Sequence, residues 1–294
     1  MKEINKFLMM CYHQFNKKHY KLEKVLFNRF EIPQNSTTFD EIFFPEKDQI
    51  ISLIDKLNNG ELKKIGFLLY GEPGTGKSST IKAIANYANR HVIATKLSII
   101  KNDSQLLRIL HSVKIGVPPC NDEARQSLEY DTVPIKDRIY VFEDIDAETD
   151  VVLRRNDSGD NNNEKLKINS IEKNSEDDAW EKFCKEYSKR KLTLSGILNA
   201  LDGVLELNGA IVIMTTNHIH KLDPALIRSG RVTMRINLKK MRKTEANELI
   251  YRFFNQTIQS TALRDYMMPP CELEALCQRC KNVRDLEREL QKIK

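Results

Sequence analysis

The sequence predicts an α/β fold: a parallel sheet between helices, followed by a small C-terminal all-helical lid. Three observations predict it. An apolar run, Ile65-Gly66-Phe67-Leu68-Leu69-Tyr70, passes through a glycine-rich stretch into a helical pattern over residues 80–88. Further buried-strand runs then alternate with amphipathic ones, which is how a parallel sheet acquires a helical layer on each face. From Thr244 onward only helical patterns remain.

Taken in order, residues 1–35 read as a basic helical arm and linker, with Ile4, Phe7, Leu8, Cys11 and Phe15 at helical spacing. A break at Ile32-Pro33-Gln34-Asn35-Ser36 separates the arm from a core spanning 36–238. A helix is expected from Lys47 to Leu57, closed by Asn58-Asn59-Gly60. Residues 91–97 read as a second strand and 103–110 as a helix with Asp103 near its cap, while 116–137 has no regular pattern. Arg138-Ile139-Tyr140-Val141-Phe142 is a buried strand closed by acids. Residues 147–191 include Asn156-Asp157-Ser158-Gly159-Asp160-Asn161-Asn162-Asn163, too polar to bury a core, and predict a mobile insertion. A helix ending near Asp202-Gly203 follows, then a strand over 210–217. Residues 222–228 predict a short helix with Pro224 near its start, and 232–238 a last strand. Residues 239–294 form the predicted lid, with helices at 244–258, 271–280 and 282–293.

The nine residues Gly71-Glu72-Pro73-Gly74-Thr75-Gly76-Lys77-Ser78-Ser79 fit G-x-x-x-x-G-K-[ST], and they sit between a strand and a helix. Glycines at these places let main-chain N–H groups close around phosphate oxygens, and the following helix adds its positive N-terminal end. Lys77 then belongs at the β- and γ-phosphates, and the Ser78 hydroxyl on Mg²⁺. Such a site needs acids at a neighbouring strand end, and Glu143, Asp144 and Asp146 supply them. One carboxylate faces the metal; the other directs a water at the γ-phosphate. Asn217 closes another core strand and can orient that water. Arg228 and Arg231, in Arg-Ser-Gly-Arg, can neutralise charge that develops on the transferring phosphoryl group.

The net charge of +6 is concentrated in the arm, where Lys2, Lys6, Lys17, Lys18, Lys21, Lys24 and Arg29 face Glu3 and Glu23. Such an arm can touch nucleic acid or anionic lipid, although a solvated helix is the favoured account. No window reaches the ~18 apolar residues of a membrane span, and Phe7-Leu8-Met9-Met10-Cys11-Tyr12 is too short for a secretory signal. The six cysteines are scattered, with one C-x-x-C at Cys277 and Cys280. Without a second pair this is not a zinc framework, and reduced thiols in a cytoplasmic setting are expected.

Met214-Thr215-Thr216-Asn217, with Leu222-Asp223-Pro224-Ala225-Leu226-Ile227-Arg228-Ser229-Gly230-Arg231-Val232, resembles the second region of homology of AAA+ ATPases. The order Glu143-Asp144-Ile145-Asp146-Ala147, together with Thr193-Leu194-Ser195-Gly196-Ile197-Leu198-Asn199-Ala200-Leu201-Asp202-Gly203-Val204, is similar to the Bcs-type branch. That branch includes a mitochondrial inner-membrane chaperone for cytochrome bc complex assembly. The resemblance covers about 38–238 apart from the insertion. It implies ATP and Mg²⁺ as cofactors, and residues Gly71 to Ser79 as the Walker A loop. Glu143 becomes the metal-side acid, Asp144 the catalytic acid and Asn217 sensor 1. Arg228 and Arg231 become finger candidates reaching a neighbour's nucleotide in a homo-oligomeric ring of six or seven subunits. The branch's membrane helix and middle domain do not fit into the first thirty-odd residues. The stretch 97–102 lacks the aromatic-apolar-Gly loop of threading unfoldases.

The reading that follows is an ATPase coupling turnover to remodelling or assembly of a macromolecular partner. The alternative is an ATP-binding assembly module with little or no hydrolysis, because Asp144 is one methylene shorter than the usual Glu. A GTPase would need an Asn-Lys-x-Asp reader, which Asn16-Lys17-Lys18-His19 does not provide. A DNA-remodelling role rests on the basic arm alone.

Overall fold

The computed structural model describes residues 37–112, 114–117, 129–147, 150–153 and 191–293. The expected basic arm and most of the expected insertion lie outside the described residues. A 3₁₀ turn, Phe39–Glu41, leads into helix α1, Lys47–Asn58. Strand β1 is Ile65–Tyr70 and helix α2 is Lys77–Ala88. Strand β2, His91–Thr95, is followed by helix α3, Asp103–His111. Strands β3, Lys114–Val117, and β4, Glu129–Thr132, precede strand β5, Arg138–Phe142. Helix α4 is Leu194–Asp202, strand β6 is Ile211–Thr216 and strand β7 is Met234–Asn237. Helices α5, Lys243–Phe254, α6, Pro270–Arg279, and α7, Val283–Lys292, end the chain.

Five strands form one sheet in the order β2-β5-β6-β1-β7, and every pairing is parallel. Alternate residues along each strand feed opposite faces. Leu68, Tyr140, Phe142, Val212 and Met214 pack with Leu106, Leu110, Ile197 and Leu201 from α3 and α4. Ile65, Phe67, Leu69, Ile139, Val141, Ile211 and Ile213 pack with Ile50, Ile54, Ile81 and Ile84 from α1 and α2. The strands read as continuous apolar runs because both faces are covered. The C-terminal helices enclose a third cluster, including Leu249, Ile250, Leu273, Leu286 and Leu290.

Two expectations need correction. Part of 116–137 is not irregular: Gly116 and Val117 end β3 and residues 129–132 form β4, and the two strands pair antiparallel, Lys114 opposite Thr132 and Val117 opposite Glu129. This pair is separate from the main sheet, and the largely polar Glu129-Tyr130-Asp131-Thr132 carries no apolar signal. Residues 222–228 form turns rather than a helix. The Asp223 carboxylate accepts the Ala225 N–H at 2.8 Å, and the Asp223 carbonyl accepts the Leu226 N–H at 3.0 Å. An Asp that captures nearby N–H groups favours a turn over a helix. The second and last expected strands are real but shorter than their apolar runs; a 3₁₀ turn, Leu97–Ile99, takes over after β2.

Candidate functional site

Register brings the predicted residues to one edge of the sheet. Tyr70, the last residue of β1, lies beside Thr216 of β6, and Phe142 of β5 lies beside Met214. The glycine loop after β1, the acids after β5 and Asn217 after β6 therefore all leave at the carboxyl end. In open parallel sheets this is where ligands bind.

The loop is shaped by backbone that side chains tolerate poorly. Gly71, Gly74 and Gly76 have φ of 148°, 78° and 97°. A Cβ on Gly71 would sit 1.9 Å from the Leu238 carbonyl oxygen, so the exit of β7 presses directly on the loop's entry. Buried Thr75 donates its hydroxyl to the Glu72 carbonyl at 2.8 Å, and Thr80 donates to the Gly76 carbonyl at 2.9 Å. Glu72, Pro73 and Ser78 are exposed, and Ser79 is half-buried. Lys77 Nζ donates to the carbonyls of Gly71 at 2.7 Å and Glu72 at 3.0 Å. Burial lowers the Lys77 pKa, while the charges of Asp144 and Asp146 push it back up. Those two acids thus lie within electrostatic reach of the lysine.

The acidic turn is stapled to β6. Thr215, almost fully buried, accepts the Asp144 N–H on its hydroxyl at 2.8 Å, and its carbonyl accepts the Ile145 N–H at 3.0 Å. Asp144 takes a left-handed backbone, φ 45°, which is uncommon outside glycine. Asp144 is exposed, and Glu143 is half-buried. One oxygen of Asp146 and the side-chain oxygen of Asn217 are buried with no hydrogen-bond partner. Unpaired buried acceptors are rare and costly, and a donor such as a metal-bound water would satisfy them. Together with Ser78 and the acids, this oxygen-rich donor set suits a hard cation such as Mg²⁺.

The two arginines separate. Arg228, Ser229 and Gly230 are exposed on a turn. Arg231 is half-buried and donates through a terminal nitrogen to the Ala225 carbonyl at 2.8 Å, within its own turn.

A further space lies beside the loop. A cavity of about 100 Å³ is walled by Phe43 from the entry segment, by Thr75 and Ser79 from the loop and helix start, and by Met241, Leu249 and Arg252 from the C-terminal part. A larger concavity of about 460 Å³ is lined by Arg252 together with Asp40, Phe43, Asn247 and Tyr251. It is an open groove whose lining includes no loop residue. The entry segment's aromatics were the available signal; its contacts with helices two hundred residues later were not. Helix α6 also rests on the loop, its Cys271 N–H donating to the Gly74 carbonyl at 3.4 Å. The C-x-x-C pair belongs elsewhere: Cys277 is buried among the C-terminal helices, and burial first, then Cys280, push its thiol up to about 12. Cys11, Cys120 and Cys184 lie outside the described residues.

A parallel sheet carrying a glycine loop, an acidic strand end and a polar asparagine on one edge defines a P-loop nucleotide-binding protein. The chain belongs to the AAA family, described as ATPase family associated with various cellular activities, whose model matches residues 67–165 and 168–240. Its relatives include an AAA-ATPase of Arabidopsis thaliana, 34% identical over 232 residues, covering 75% of this chain and 42% of the relative. A second, AAA-ATPase ASD, mitochondrial, of the same plant, is 32% identical over 231 residues, 74% of this chain and 39% of the relative. A third, the probable mitochondrial chaperone BCS1-A of Dictyostelium discoideum, is 36% identical over 199 residues, 67% and 37%. The chain thus spans about two fifths of the length of the relatives it matches.

Proposed function

We propose that the chain binds ATP with Mg²⁺ and hydrolyses it in a ring of six or seven copies, coupling turnover to remodelling or assembly of a macromolecular partner. The observation that carries this reading is the convergence of Lys77, Asp144, Asp146 and Asn217 on one sheet edge, with two buried oxygens there lacking donors. In this reading phosphate oxygens replace the loop carbonyls at Lys77 Nζ, and loop N–H groups from Gly71 to Ser79 hold the polyphosphate. Ser78, Glu143 and Asp144 would hold Mg²⁺. Asp144 and Asn217 place the attacking water, and Asp146 steadies Lys77 and the water network. Arg228 and Arg231 are the trans-acting candidates, and the exposed turn favours Arg228 as the one that reaches out. Mg²⁺ supplies charge neutralisation on the β- and γ-phosphates when bound.

The division into an arm over 1–35, a core over 36–238 with an insertion at 147–191, and a lid over 239–294 belongs to the same reading. Relatives named as chaperone and as mitochondrial support a protein cargo and leave a mitochondrial site beside the cytoplasmic one. Among the described residues no helix is long and apolar enough to cross a membrane. Nucleic acid as a partner rests on the basic arm alone.

The test is the size of the protein with and without ATP and Mg²⁺, beside a turnover assay with Lys77→Ala as control. Nucleotide-dependent growth to a ring with turnover well above the control is expected. Assembly with turnover equal to the control leaves the binding-module reading, which the short Asp144 favours. Absence of nucleotide binding in both proteins overturns both.

A further inference from the structure

We propose that the open groove between the entry segment and α5 is a docking surface for the chain's own residues 21–30. The inference stands apart from the nucleotide reading, because the groove's lining includes no residue of the glycine loop.

The groove offers apolar surface framed by acids. At about 460 Å³ it has the volume of a ligand-sized site. Phe43 from the entry segment and Tyr251 from α5 supply the aromatic surface, and Tyr251 is 55% exposed although it lines a concavity. Three charged residues share the lining: Asp40, Glu248 and Arg252. Arg252 is neutralised by its ion pair with Glu41. Asp40 and Glu248 are exposed and have no ion-pair partner among the described residues. Lys47 stands 5.7 Å from the Phe43 ring centroid, but it donates to the Phe39 carbonyl at 3.3 Å and does not line the groove. Two uncompensated acids therefore flank the aromatic pair.

The adjoining sequence carries the complement. Leu22, Val25 and Leu26 stand at i, i+3 and i+4, the spacing of an apolar stripe on a helix. Lys21, Lys24 and Arg29 surround them against the single acid Glu23. An amphipathic stretch laid into a groove through anchors at that spacing is a common recognition mode. Residues 21–30 lie outside the described residues, and the description begins at Thr37, three residues before Asp40. Phe30 is ten residues from Asp40, so the connection spans at most ~36 Å. A tether that short holds the stretch at an effective concentration of order mM. A separate protein would have to compete with it. Nucleic acid and anionic lipid would meet Asp40 and Glu248 with like charge. Docked there, the arm straps α5 to the entry segment, which itself packs on both the sheet-side and the C-terminal clusters through Phe39 and Phe43.

The experiment maps the contact in the full-length chain. Thr244 is exposed and lines the groove. Asn28→Cys combined with Thr244→Cys, treated with a short bis-maleimide and digested, should give a 28–244 cross-linked peptide by mass spectrometry. Asn28→Cys with Lys63→Cys, an exposed position just before β1, should react about tenfold more slowly. Within the first pair, Tyr251→Ser should slow cross-linking about tenfold, and so should Leu22→Ser with Val25→Ser, the worth of a buried apolar side chain. Glu248→Lys and Lys24→Glu should each slow it about threefold, the worth of an exposed ion pair, and together should restore it. A 28–244 product no faster than the Lys63→Cys pair overturns the inference. So does a rate indifferent to the groove and arm variants. In a mixture of isotopically labelled and unlabelled chains, products within one chain are expected. Products chiefly between chains overturn the inference in favour of a second copy's arm. Unchanged cross-linking in the groove variants, beside Lys24-dependent retention on phosphatidylserine vesicles or duplex DNA, overturns it and assigns the arm to that surface. None of these readouts uses nucleotide, so a failure of the nucleotide reading leaves them intact.

Discussion

Asp144 concentrates the tension between stability and chemistry in one residue. A left-handed backbone outside glycine costs of order 1 kcal/mol, and the Asp144 N–H regains about as much by donating to buried Thr215. The charge of Asp144 reaches Lys77, whose pKa it raises against burial. Asparagine enters this backbone region about as easily as aspartate, so Asp144→Asn should keep the fold and keep ATP binding. It should lower turnover about 10²–10⁴-fold, the range of a lost general base, as read by single-turnover assay beside fluorescent nucleotide titration. Normal turnover would move the catalytic acid to Glu143 or Asp146. Thr215→Val keeps the volume but strands the N–H, and should destabilise by about 1–3 kcal/mol in urea unfolding. At this scale the sequence was most legible where chemistry dictates residue type. The loop, the acids and Asn217 could be picked out by spacing. The Arg252–Glu41 pair could not, because its partners stand 211 residues apart and neither belongs to a motif.

Elements were legible in proportion to their burial. Strands β1, β5 and β6 are fully or almost fully buried and read as apolar runs. The short β3 and the largely polar β4 were invisible, and the turns after β6 were mistaken for a helix because Asp223 and Pro224 also open helices. Burial alone does not explain the junction of α3 and α4. There the Asp103 carboxylate accepts the Thr193 N–H at 2.8 Å and the Thr193 hydroxyl at 2.9 Å. The same hydroxyl oxygen caps α4 by accepting the Gly196 N–H at 2.9 Å. A Cβ on Gly196 would meet the Asp103 carboxyl at 2.0 Å. Helix propensity favours Ala over Gly by about 1 kcal/mol, so Gly196→Ala would stabilise an isolated α4. In the protein the displaced carboxylate loses two bonds and loosens a cap, together worth about 2–4 kcal/mol. The clash should win, leaving a net loss of about 1–3 kcal/mol in chemical unfolding. A more stable variant would mean that Asp103 rotates away freely.

At the scale of the whole molecule, the proposed ring raises a question that one chain's packing leaves open: which arginine would cross to a neighbour. Arg231 donates into its own turn at Ala225, and its backbone lies against β1, since a Cβ on Gly66 would meet the Arg231 carbonyl oxygen at 1.9 Å. Removing it should disturb the turn as well as any trans contact. Arg228 is exposed, so its loss should leave the fold alone. In the proposed ring each active site would lie between two copies, one giving Lys77 and the other Arg228. Arg228→Ala and Lys77→Ala should each be nearly inactive alone. Mixed in equal amounts under conditions that let subunits exchange, they rebuild sites in which an intact Lys77 faces an intact Arg228. Random assembly makes about a quarter of the interfaces of this kind, so turnover should return to about a quarter of wild type. A turnover that stays at the sum of the two variants would show that Arg228 serves its own chain. Wild-type turnover in Arg228→Ala alone would leave Arg231 as the sole candidate.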